Sequence, residues 1–408
     1  MRLYYSIVDP YPAYRSDIAE LFGVELSKLG LETEWFMASG RDKPPSAPAY
    51  RHQKVNSPMD LFPVANALGR LGYWLADLFF MSRQMIHPAD AIQCRDKYLV
   101  SLLAIVVARL RGVPFFYWSS YPFPEHDRLA AQTKTGCRRW AGRAKASIRF
   151  FLLYKLVCRF ADHVFVQSQR MKEDIHRYGV PLPRMTPVPM GVSARMTDWI
   201  AVHPVSIVPM RIVYLGTLAS VRRLDMLLDA FVLVRQKFPK AQLMFVGDGD
   251  HPSERQGLVQ KAISVGLEVE DGVAGSPGAS VVFTGFVPME EAWALTASAA
   301  VCVSPFYPTP VLLSTSPTKL VEYLALGRPV VCNVHPEQSQ IIKDSGAGLC
   351  VAWSADAFAN AISGMLLNPA HAEACASLGP AWVKANRTYP MIAKQVWAQY
   401  TDLMSRRR

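Results

Sequence analysis

The sequence lacks long apolar runs and grouped cysteines. No part of the 408-residue chain holds the uninterrupted run of about 20 apolar residues that a membrane-spanning helix needs. Met1–Ser6 is followed at once by Asp9 and Pro10, which is not the pattern of a secretory signal. The seven cysteines form no CxxC pair, so neither a zinc ribbon nor a disulfide framework is expected. These absences predict a cytoplasmic protein with reduced thiols.

Basic residues clearly outnumber acidic ones in the first half of the chain but exceed them by only one in the second. Residues 1–200 hold 27 lysines and arginines against 17 aspartates and glutamates, whereas residues 201–408 hold 17 against 16. Between Arg128 and Arg159 there are nine basic residues and no acidic one. Such an excess suits nucleic acid, an anionic bilayer or a phosphorylated substrate as a partner.

Short β-branched or aromatic runs alternate with helical patterns in both halves. Strand Arg2–Val8 precedes helix Ile18–Leu29, and strand Arg211–Gly216 precedes helix Leu224–Lys237. The alternation predicts an α/β fold with two doubly wound domains whose strand ends face one cleft. We predict an N-terminal domain over residues 1–193, a proline-rich hinge without helical pattern over 194–209, a C-terminal domain over 210–389 and a final helix over 390–408, with its return to the N-terminal domain left open.

The stretch Ser314–Asn333 carries the most specific chemistry. Ser316 and the proline after it suit the start of a helix, on which Lys319 and Glu322 share one face. A helix N-terminus presents free N–H groups to anions, and Lys319 adds a full charge beside them. Glu322 is spaced to accept hydrogen bonds from a ribose diol. An ordinary surface helix with an ion pair is the alternative for the motif taken alone.

This stretch, STSPTKLVEYLALGRPVVCN, resembles the signature of the family 4 glycosyltransferases, enzymes of the GT-B fold. The order of the segments Ile212–Phe231, Gln242–Gly249 and Val282–Pro288 is also similar. The resemblance implies two facing Rossmann-like domains, the first binding an acceptor and the second a sugar nucleotide. It further implies a retaining transfer from a UDP- or GDP-sugar without a metal or other cofactor, in keeping with histidines that show no metal-ligand spacing.

Position by position, the resemblance gives roles to the donor half. It implies that Arg222 and Lys319 bind the donor diphosphate and stabilise it as it leaves, which makes them catalytic as well. Glu322 matches the carboxylate that binds the ribose, and Gly216 matches the glycine beside the phosphates. The remaining expected donor-binding residues are Thr217, Ser316 and Thr318. Two positions depart from the family pattern, since Thr217 replaces a usual arginine and Ser314 replaces a usual acid that contacts the donor sugar.

Candidates on the acceptor side lie in loops after predicted strands, where side chains reach a cleft. Some family members carry a histidine at the position of Ser120, so Glu125 and His126, slightly further along, are candidate catalytic residues. A solvated loop is an equal alternative for these positions. The full set of acceptor-side candidates is Tyr14, Arg15, Arg95, Asp96 and Ser120.

The basic region also has the pattern of a membrane-surface helix. Trp140, Ile148 and Phe151 fall on one stripe of a helix through this region. A basic amphipathic helix of this kind lies in an anionic headgroup layer, whereas the competing interpretation is an internal helix packed on the sheet. The basic residues opposite the stripe are Arg138, Lys145 and Arg149.

These features favour a glycosyltransferase acting at the inner face of the cytoplasmic membrane as a peripheral protein. The expected acceptor is a polyprenyl-diphosphate-linked sugar, another glycolipid or an oligosaccharide in polysaccharide assembly. A sugar-nucleotide epimerase of the same fold and a non-catalytic basic nucleic-acid-binding protein are the alternatives. The basic run lacks the groove-reading motif of a nucleic-acid-binding domain, so nucleic acid is not expected as a partner.

Overall fold

Alternating strands and helices form one parallel sheet in each of two units. The computed structural model describes residues 1–11, 15–39, 54–56, 70–272 and 279–406. The N-terminal unit comprises Met1–Met190, Ser314–Ser316 and Tyr389–Arg408, and the C-terminal unit comprises Gly191–Leu313 and Pro317–Thr388. Each unit is described by itself below.

The N-terminal sheet has seven described strands, all parallel, in the order β3-β2-β1-β4-β5-β6-β7. The strands are β1 (Arg2–Tyr11), β2 (Glu32–Ser39), β3 (Lys54–Asn56), β4 (Ala91–Arg95), β5 (Phe115–Ser119), β6 (His163–Val166) and β7 (Met185–Pro187). The helices are α1 (Asp17–Glu25, continued by Leu26–Lys28), α2 (Arg70–Arg83), α3 (Tyr98–Arg111), α4 (Phe123–Gln132), α5 (Gly136–Phe150, continued by Phe151–Val157 and Cys158–Phe160) and α6 (Gln169–Arg177), with a short turn at Leu182–Arg184.

The C-terminal sheet also has seven described parallel strands, in the order β10-β11-β9-β8-β12-β13-β14. The strands are β8 (Arg211–Leu215), β9 (Gln242–Val246), β10 (Val269–Asp271), β11 (Val281–Phe283), β12 (Val301–Ser304), β13 (Val330–Asn333) and β14 (Gly348–Val351). The helices are α7 (Ala194–Val202), α8 (Asp225–Lys237), α9 (Pro252–Ser264), α10 (Met289–Ala297), α11 (Pro310–Leu313), α12 (Thr318–Ala325), α13 (Pro336–Ser345), α14 (Ala355–Leu367) and α15 (Pro369–Asn386), with a short turn at Ser220–Arg222.

Both sheets are buried on their two faces, as parallel sheets usually are. Along β1, Tyr4 packs into the core on one face while Leu3 and Tyr5 pack into the core on the other. Along β8, Val213 and Tyr214 likewise enter different cores. The predicted α/β class with two doubly wound domains is therefore confirmed.

Each sheet has a central reversal of strand order, and in the C-terminal sheet the strands β10 and β11 are also interchanged. In the N-terminal sheet the reversal lies between β1 and β4, and in the C-terminal sheet it lies between β8 and β12. Ligands of open α/β sheets bind outside the carboxyl ends of the strands at such a point. The residues that follow β4 and β8 are therefore the first candidates for function.

The predicted hinge over residues 194–209 contains a helix, so the expectation that no helical pattern is present there was wrong. The helix α7 starts after Ser193, whose side chain accepts a hydrogen bond from the N–H of Met196 at 3.2 Å. Met196 is buried in the C-terminal core. The two prolines of this segment, Pro204 and Pro209, follow the helix, and Pro187 and Pro189 precede the segment.

The last helix of the chain belongs to the N-terminal unit. In this helix, α16 (Tyr389–Ser405), the side chains of Ile392 and Val396 pack against the N-terminal sheet core. The hydroxyl of Tyr400 donates a hydrogen bond to Oε1 of Gln93 in β4 at 2.6 Å, and both residues are fully buried. The return of the chain, which the sequence left open, is thus fixed by apolar packing and one buried hydrogen bond.

Replacing Tyr400 tests this attachment. Tyr400→Phe should lower the free energy of unfolding by about 1–2 kcal/mol because the buried carbonyl oxygen of Gln93 loses its donor. Urea denaturation would measure the change, with Gln395→Ala on the exposed side of the same helix as the control. An unchanged midpoint for Tyr400→Phe would contradict the hydrogen bond.

Candidate functional site

A glycine follows each of the strands β8 and β9. Gly216 and Gly247 have φ values of +128° and +127°, a backbone conformation that favours glycine. A Cβ on Gly247 would lie 2.5 Å from the carbonyl oxygen of Gly216, and a Cβ on Gly216 would lie 3.3 Å from Cε of Lys319. The loop backbone therefore passes close to the Lys319 side chain because no side chain stands between them.

Lys319 lies in the first turn of α12 with its ammonium group among aromatic rings. Its Nζ lies 4.9 Å from the centre of the Tyr214 ring and 5.0 Å from that of Phe306. Within the described part of the chain it makes no hydrogen bond or ion pair. Burial, and after it the charge of Arg222, lowers the pKa of Lys319 well below its usual value, while Glu322 opposes the shift. An anion bound here would stabilise the charged form.

Arg222 is the second cation of this site. It ends the short turn after β8, and its Nε donates a hydrogen bond to Oγ1 of Thr217 at 3.0 Å. Thr217, which replaces the family's usual arginine, thus orients the neighbouring arginine instead of supplying a charge. Among the described residues Arg222 has no carboxylate partner. The next residue, Arg223, differs because it pairs with Asp225 at 3.2 Å.

Glu322 lies one turn after Lys319 on α12. Burial raises the pKa of its carboxyl group to about 7, although the charge of Lys319 opposes the shift. No described residue donates a hydrogen bond to this carboxylate, so it remains available to a ligand. The neighbouring Tyr323 ties α12 to the end of β8, since its hydroxyl accepts a hydrogen bond from the N–H of Leu215 at 2.7 Å.

Ser316, another predicted donor-binding residue, already takes part in a hydrogen bond. Its Oγ accepts a hydrogen bond from the N–H of Met190 at 3.0 Å, and the residue is counted with the N-terminal unit. Thr318 opens α12 and is partly buried. The structure therefore brings Gly216, Thr217, Arg222, Lys319 and Glu322 together at the end of β8 and the start of α12.

A second polar cluster surrounds Arg95 at the end of β4. The guanidinium is fully buried and its Nη2 lies 2.8 Å from Asp17, while Nε lies 3.6 Å from Asp9 and 3.7 Å from Asp96. Burial raises the pKa of Asp17, but Arg95 and Arg15 more than offset it, so the pKa is lowered. At Asp96 burial prevails over Arg95, and the pKa is raised.

Asp96 is held in place by Ser120. It has a φ of +56° and accepts hydrogen bonds from the Ser120 N–H at 3.2 Å and from the Ser120 hydroxyl. The structure thus brings four of the predicted acceptor-side residues into this region of the N-terminal unit, namely Arg15, Arg95, Asp96 and Ser120. The fifth, Tyr14, lies outside the described residues.

The two candidate catalytic residues on α4 are placed elsewhere. The Glu125 carboxylate accepts a hydrogen bond from the Tyr154 hydroxyl at 3.0 Å, and burial raises its pKa. Nδ1 of His126 lies 3.2 Å from the Tyr121 hydroxyl. In the described ranges neither side chain contacts Asp96. Asp96 directly follows β4, whereas Glu125 and His126 lie on α4.

The basic helix α5 has an exposed apolar stripe. Trp140 is 75% exposed and Ile148 is 61% exposed, so the alternative of an internal helix packed through this stripe on the sheet is wrong. Two of the three predicted membrane-facing basic residues pair with Asp127 of α4, Lys145 at 3.2 Å and Arg149 at 2.6 Å. The third, Arg138, is exposed.

Two kinds of feature are absent from the described ranges. No helix there is long and apolar enough to cross a membrane. In the same ranges no three His, Cys, Asp or Glu side chains are grouped so that they could hold a metal ion.

Two family models match the chain. The model described as "Glycosyl transferases group 1" matches residues 209–368, and the model described as "Glycosyl transferase 4-like domain" matches residues 19–191. Together they cover most of the sequence. The chain therefore belongs to the group 1 glycosyltransferases, which confirms the family predicted from its motifs.

Solved structures share the fold of this chain. Sucrose-phosphate synthase from Thermosynechococcus elongatus is 19% identical, with a TM-score of 0.67 over 99% of this chain and 100% of that one. The HepE protein of Anabaena, solved with UDP and glucose, is 15% identical, with a TM-score of 0.68 over 98% and 100%. WaaG, a glycosyltransferase involved in lipopolysaccharide biosynthesis, is 13% identical, with a TM-score of 0.66 over 96% and 98%. These likenesses show the GT-B fold. No curated protein matches the chain.

The raised pKa of Glu322 makes stability depend on pH. Because this pKa of about 7 lies above the usual carboxyl value of 4.5, the folded state binds the proton more tightly than the unfolded state. This group therefore makes the free energy of unfolding fall as pH rises from about 5 to about 8. Glu322→Gln cannot ionise and should lose this part of the decline. Thermal unfolding midpoints across that range would measure the difference.

The control for this pH series is Glu373→Gln, since Glu373 is exposed on α15. It should follow the wild-type decline. If Glu322→Gln also follows the wild-type decline, Glu322 does not ionise in a buried setting.

Proposed function

We propose that the protein is a retaining glycosyltransferase that moves a hexose from a UDP- or GDP-sugar to a lipid-linked or oligosaccharide acceptor. The reaction would belong to polysaccharide or glycolipid assembly. One observation carries the proposal most directly, namely that Lys319 and Arg222 lie close together beside Gly216 without a carboxylate partner among the described residues. Two neighbouring cations without carboxylate partners among the described residues suit a ligand that supplies several negative charges, as a nucleoside diphosphate does.

The same residues explain how transfer would be catalysed. As the bond between the sugar and the diphosphate breaks, negative charge grows on the phosphate oxygens, and fixed cations lower the energy of that state. Arg222 is held ready by Thr217, and Lys319 regains its full charge beside the diphosphate. Glu322 would accept hydrogen bonds from the ribose hydroxyls. Because these side chains supply the positive charge, we propose that no metal or other cofactor takes part.

Proteins of the same fold support the donor and the pathway. HepE is solved in complex with UDP-glucose, and WaaG is described as involved in lipopolysaccharide biosynthesis. We propose that this chain likewise uses a nucleotide-linked sugar as its donor and a glycolipid as its acceptor. Glu125 and His126 would not contact the reacting sugar in this scheme, since Asp96 is the acidic group better placed for an acceptor.

We further propose that the protein works as a peripheral protein on the inner face of the cytoplasmic membrane. The exposed stripe of Trp140, Ile148 and Phe151 would enter the headgroup layer, since a bilayer is a favourable environment for such side chains. Arg138 would contact anionic lipids. Lys145 and Arg149 would contribute less, because both already share Asp127.

Neighbouring arginines offer a matched test of the donor site. Arg222→Ala should weaken UDP or GDP binding by about tenfold or more, because a hydrogen bond to a charged group is worth about 1.5–3 kcal/mol. Arg223→Ala removes the same charge from the next position, where Asp225 already pairs with it. Calorimetric titration of both variants would measure the affinities. Equal losses in the two variants, or no loss in either, would reject Arg222 as the diphosphate ligand.

Membrane binding tests the proposed location. Replacing both Trp140 and Ile148 with Gln should abolish most sedimentation with anionic liposomes, because burying each large apolar side chain is worth about 1.5–3 kcal/mol. Arg138→Gln should weaken binding by only about 1 kcal/mol. Ile263→Gln is the control, since Ile263 is also exposed but lies on α9 of the C-terminal unit. If the double variant sediments like the wild type, the stripe does not contact the bilayer.

A further inference from the structure

Two cysteines lie side by side on the last two strands of the C-terminal sheet. Cys332 of β13 and Cys350 of β14 are directly opposite each other in the parallel register. Opposed residues of neighbouring parallel strands are about 4.8 Å apart and point to the same face of the sheet. Disulfide-bonded cysteines usually have Cα atoms about 4.4–6.8 Å apart. The backbone therefore already places these two cysteines at a spacing that a disulfide can bridge.

No other cysteine in the described strands lies opposite a second cysteine. Cys94 lies opposite Ser6 and Tyr117, and Cys302 lies opposite two valines. A single buried cysteine behaves as a small apolar residue. Cys332 and Cys350 differ because each has a second sulfur within reach.

The two thiols of the pair differ in exposure and in acidity. Cys332 is fully buried, whereas Cys350 is half-buried on the edge strand of the sheet. A hydrogen bond from the Cys332 thiol lowers the pKa of Cys350 to about 6, although burial opposes the shift. The same hydrogen bond, together with burial, raises the pKa of Cys332 well above its usual value. Cys350 is therefore the thiolate that solvent reaches, and Cys332 is the thiol that keeps its proton.

Ser339 of α13 supports negative charge on Cys350. Its Oγ lies 3.4 Å from the Cys350 sulfur. Because this oxygen accepts a hydrogen bond from the N–H of His335 at 3.3 Å, its own hydrogen can be donated to the sulfur. The thiolate is the reactive form of a cysteine. The surroundings thus favour a nucleophile with a second thiol beside it.

Strand β13 leads directly from this pair to the donor site. Asn333 follows Cys332, and its side chain makes two hydrogen bonds to the backbone of Phe306. Oδ1 accepts from the N–H of Phe306 at 2.7 Å, and Nδ2 donates to its carbonyl oxygen at 2.9 Å. The Phe306 ring centre lies 5.0 Å from Nζ of Lys319 and 5.9 Å from Cζ of Arg222. A displacement of Cys332 would therefore reach the ring that contacts both cations.

We propose that Cys332 and Cys350 are a modification site at which a peroxide forms a reversible disulfide, and that this bond weakens nucleotide binding. The first part is independent of the transferase function, whereas the second part rests on it. Since Cys350 is half-buried on an edge strand, a thiol reductant can reach the bond and reverse it.

The oxidation takes place in two balanced steps. The Cys350 thiolate attacks one oxygen of hydrogen peroxide, the O–O bond breaks, and the hydroxide that leaves takes up a proton to become water. Cys350 is then a sulfenic acid. The Cys332 sulfur attacks the sulfenic sulfur, the S–O bond breaks, and the leaving hydroxide takes the proton of the Cys332 thiol. The two sulfur atoms lose two electrons, and the peroxide is reduced to two water molecules.

Peptide mapping of the oxidised protein tests the disulfide. The whole protein is treated with hydrogen peroxide, free thiols are blocked with N-ethylmaleimide, and peptides are identified by mass spectrometry without reduction. A peptide linked through Cys332 and Cys350 should appear, and dithiothreitol should remove it. Cys137 is an internal control because it is exposed whereas Cys350 is half-buried. Cys137 should nevertheless react more slowly if reactivity follows the contact between two thiols rather than exposure.

Serine variants separate the roles of the two cysteines. Cys332→Ser should leave Cys350 as a sulfenic acid that dimedone traps, because the second sulfur is gone. Cys350→Ser should leave Cys332 unoxidised, because its buried thiol keeps its proton. Cys375→Ser is the matched control, since it removes another buried cysteine and leaves the pair intact. Circular dichroism would verify that the variants fold, and the mapping of the wild type requires none of them.

Nucleotide titrations before and after oxidation test the effect on the donor site. Peroxide-treated wild type should bind UDP or GDP at least about fivefold more weakly, which is the lower end of coupling between two sites. Dithiothreitol should restore the affinity. Peroxide-treated Cys350→Ser should bind like the untreated protein, which would exclude damage elsewhere in the chain.

Three outcomes would overturn the inference. These are the absence of the linked peptide, oxidation of Cys137 before Cys350, and equal nucleotide affinity of the reduced and the oxidised wild type. The reduced protein keeps the two proposals apart. If it binds neither UDP nor GDP while the linked peptide still forms, the proposed donor site is rejected and the disulfide is confirmed.

Discussion

A buried cation without a counterion is the constraint on which the C-terminal unit depends. Lys319 lies between the rings of Tyr214 and Phe306, and in the described ranges no carboxylate pairs with it. Removing an ammonium group from water is costly, and the lowered pKa of Lys319 expresses that cost. The glycine at 216 and the anchoring of α12 by Tyr323 keep the group in this position. An anion bound here would stabilise the charged form of Lys319.

In the N-terminal unit, by contrast, the buried cation has carboxylate partners. Arg95 is surrounded by Asp9, Asp17 and Asp96 within the same unit, so its charge is compensated without a ligand. Leaving one member of such a cluster unpaired would be strongly destabilising. Arg95 therefore holds the strand ends together and orients its neighbour Asp96. Of these four residues, only Asp96 also lines the cavity of about 620 Å³ at the end of β4.

The sequence predicted how Lys319 and Glu322 are arranged, because that arrangement is local. Lys319 and Glu322 share a helix face by their spacing alone, and alternating apolar runs were sufficient for the α/β class. Helix α7 was missed because flanking prolines hid the cap at Ser193. The pairing of Lys145 and Arg149 with Asp127 could not be predicted, since it depends on how α4 and α5 pack. The cavity was also missed, because Val8, Trp74 and Leu99 are distant along the chain and meet only after folding.

Tertiary packing also explains why Ser314 stands where the family usually carries an acid. The Ser314 hydroxyl donates a hydrogen bond to Asp174 of α6 at 2.6 Å, and Asp174 in turn pairs with Arg170 and Arg177, each at 3.1 Å. A carboxylate at position 314 would lie against the Asp174 carboxylate, and two such groups in contact cannot both remain ionised. The serine donates a hydrogen bond to Asp174 and introduces no such repulsion. Position 314 therefore carries a neutral hydrogen-bond donor, and the negative charge at this point belongs to Asp174.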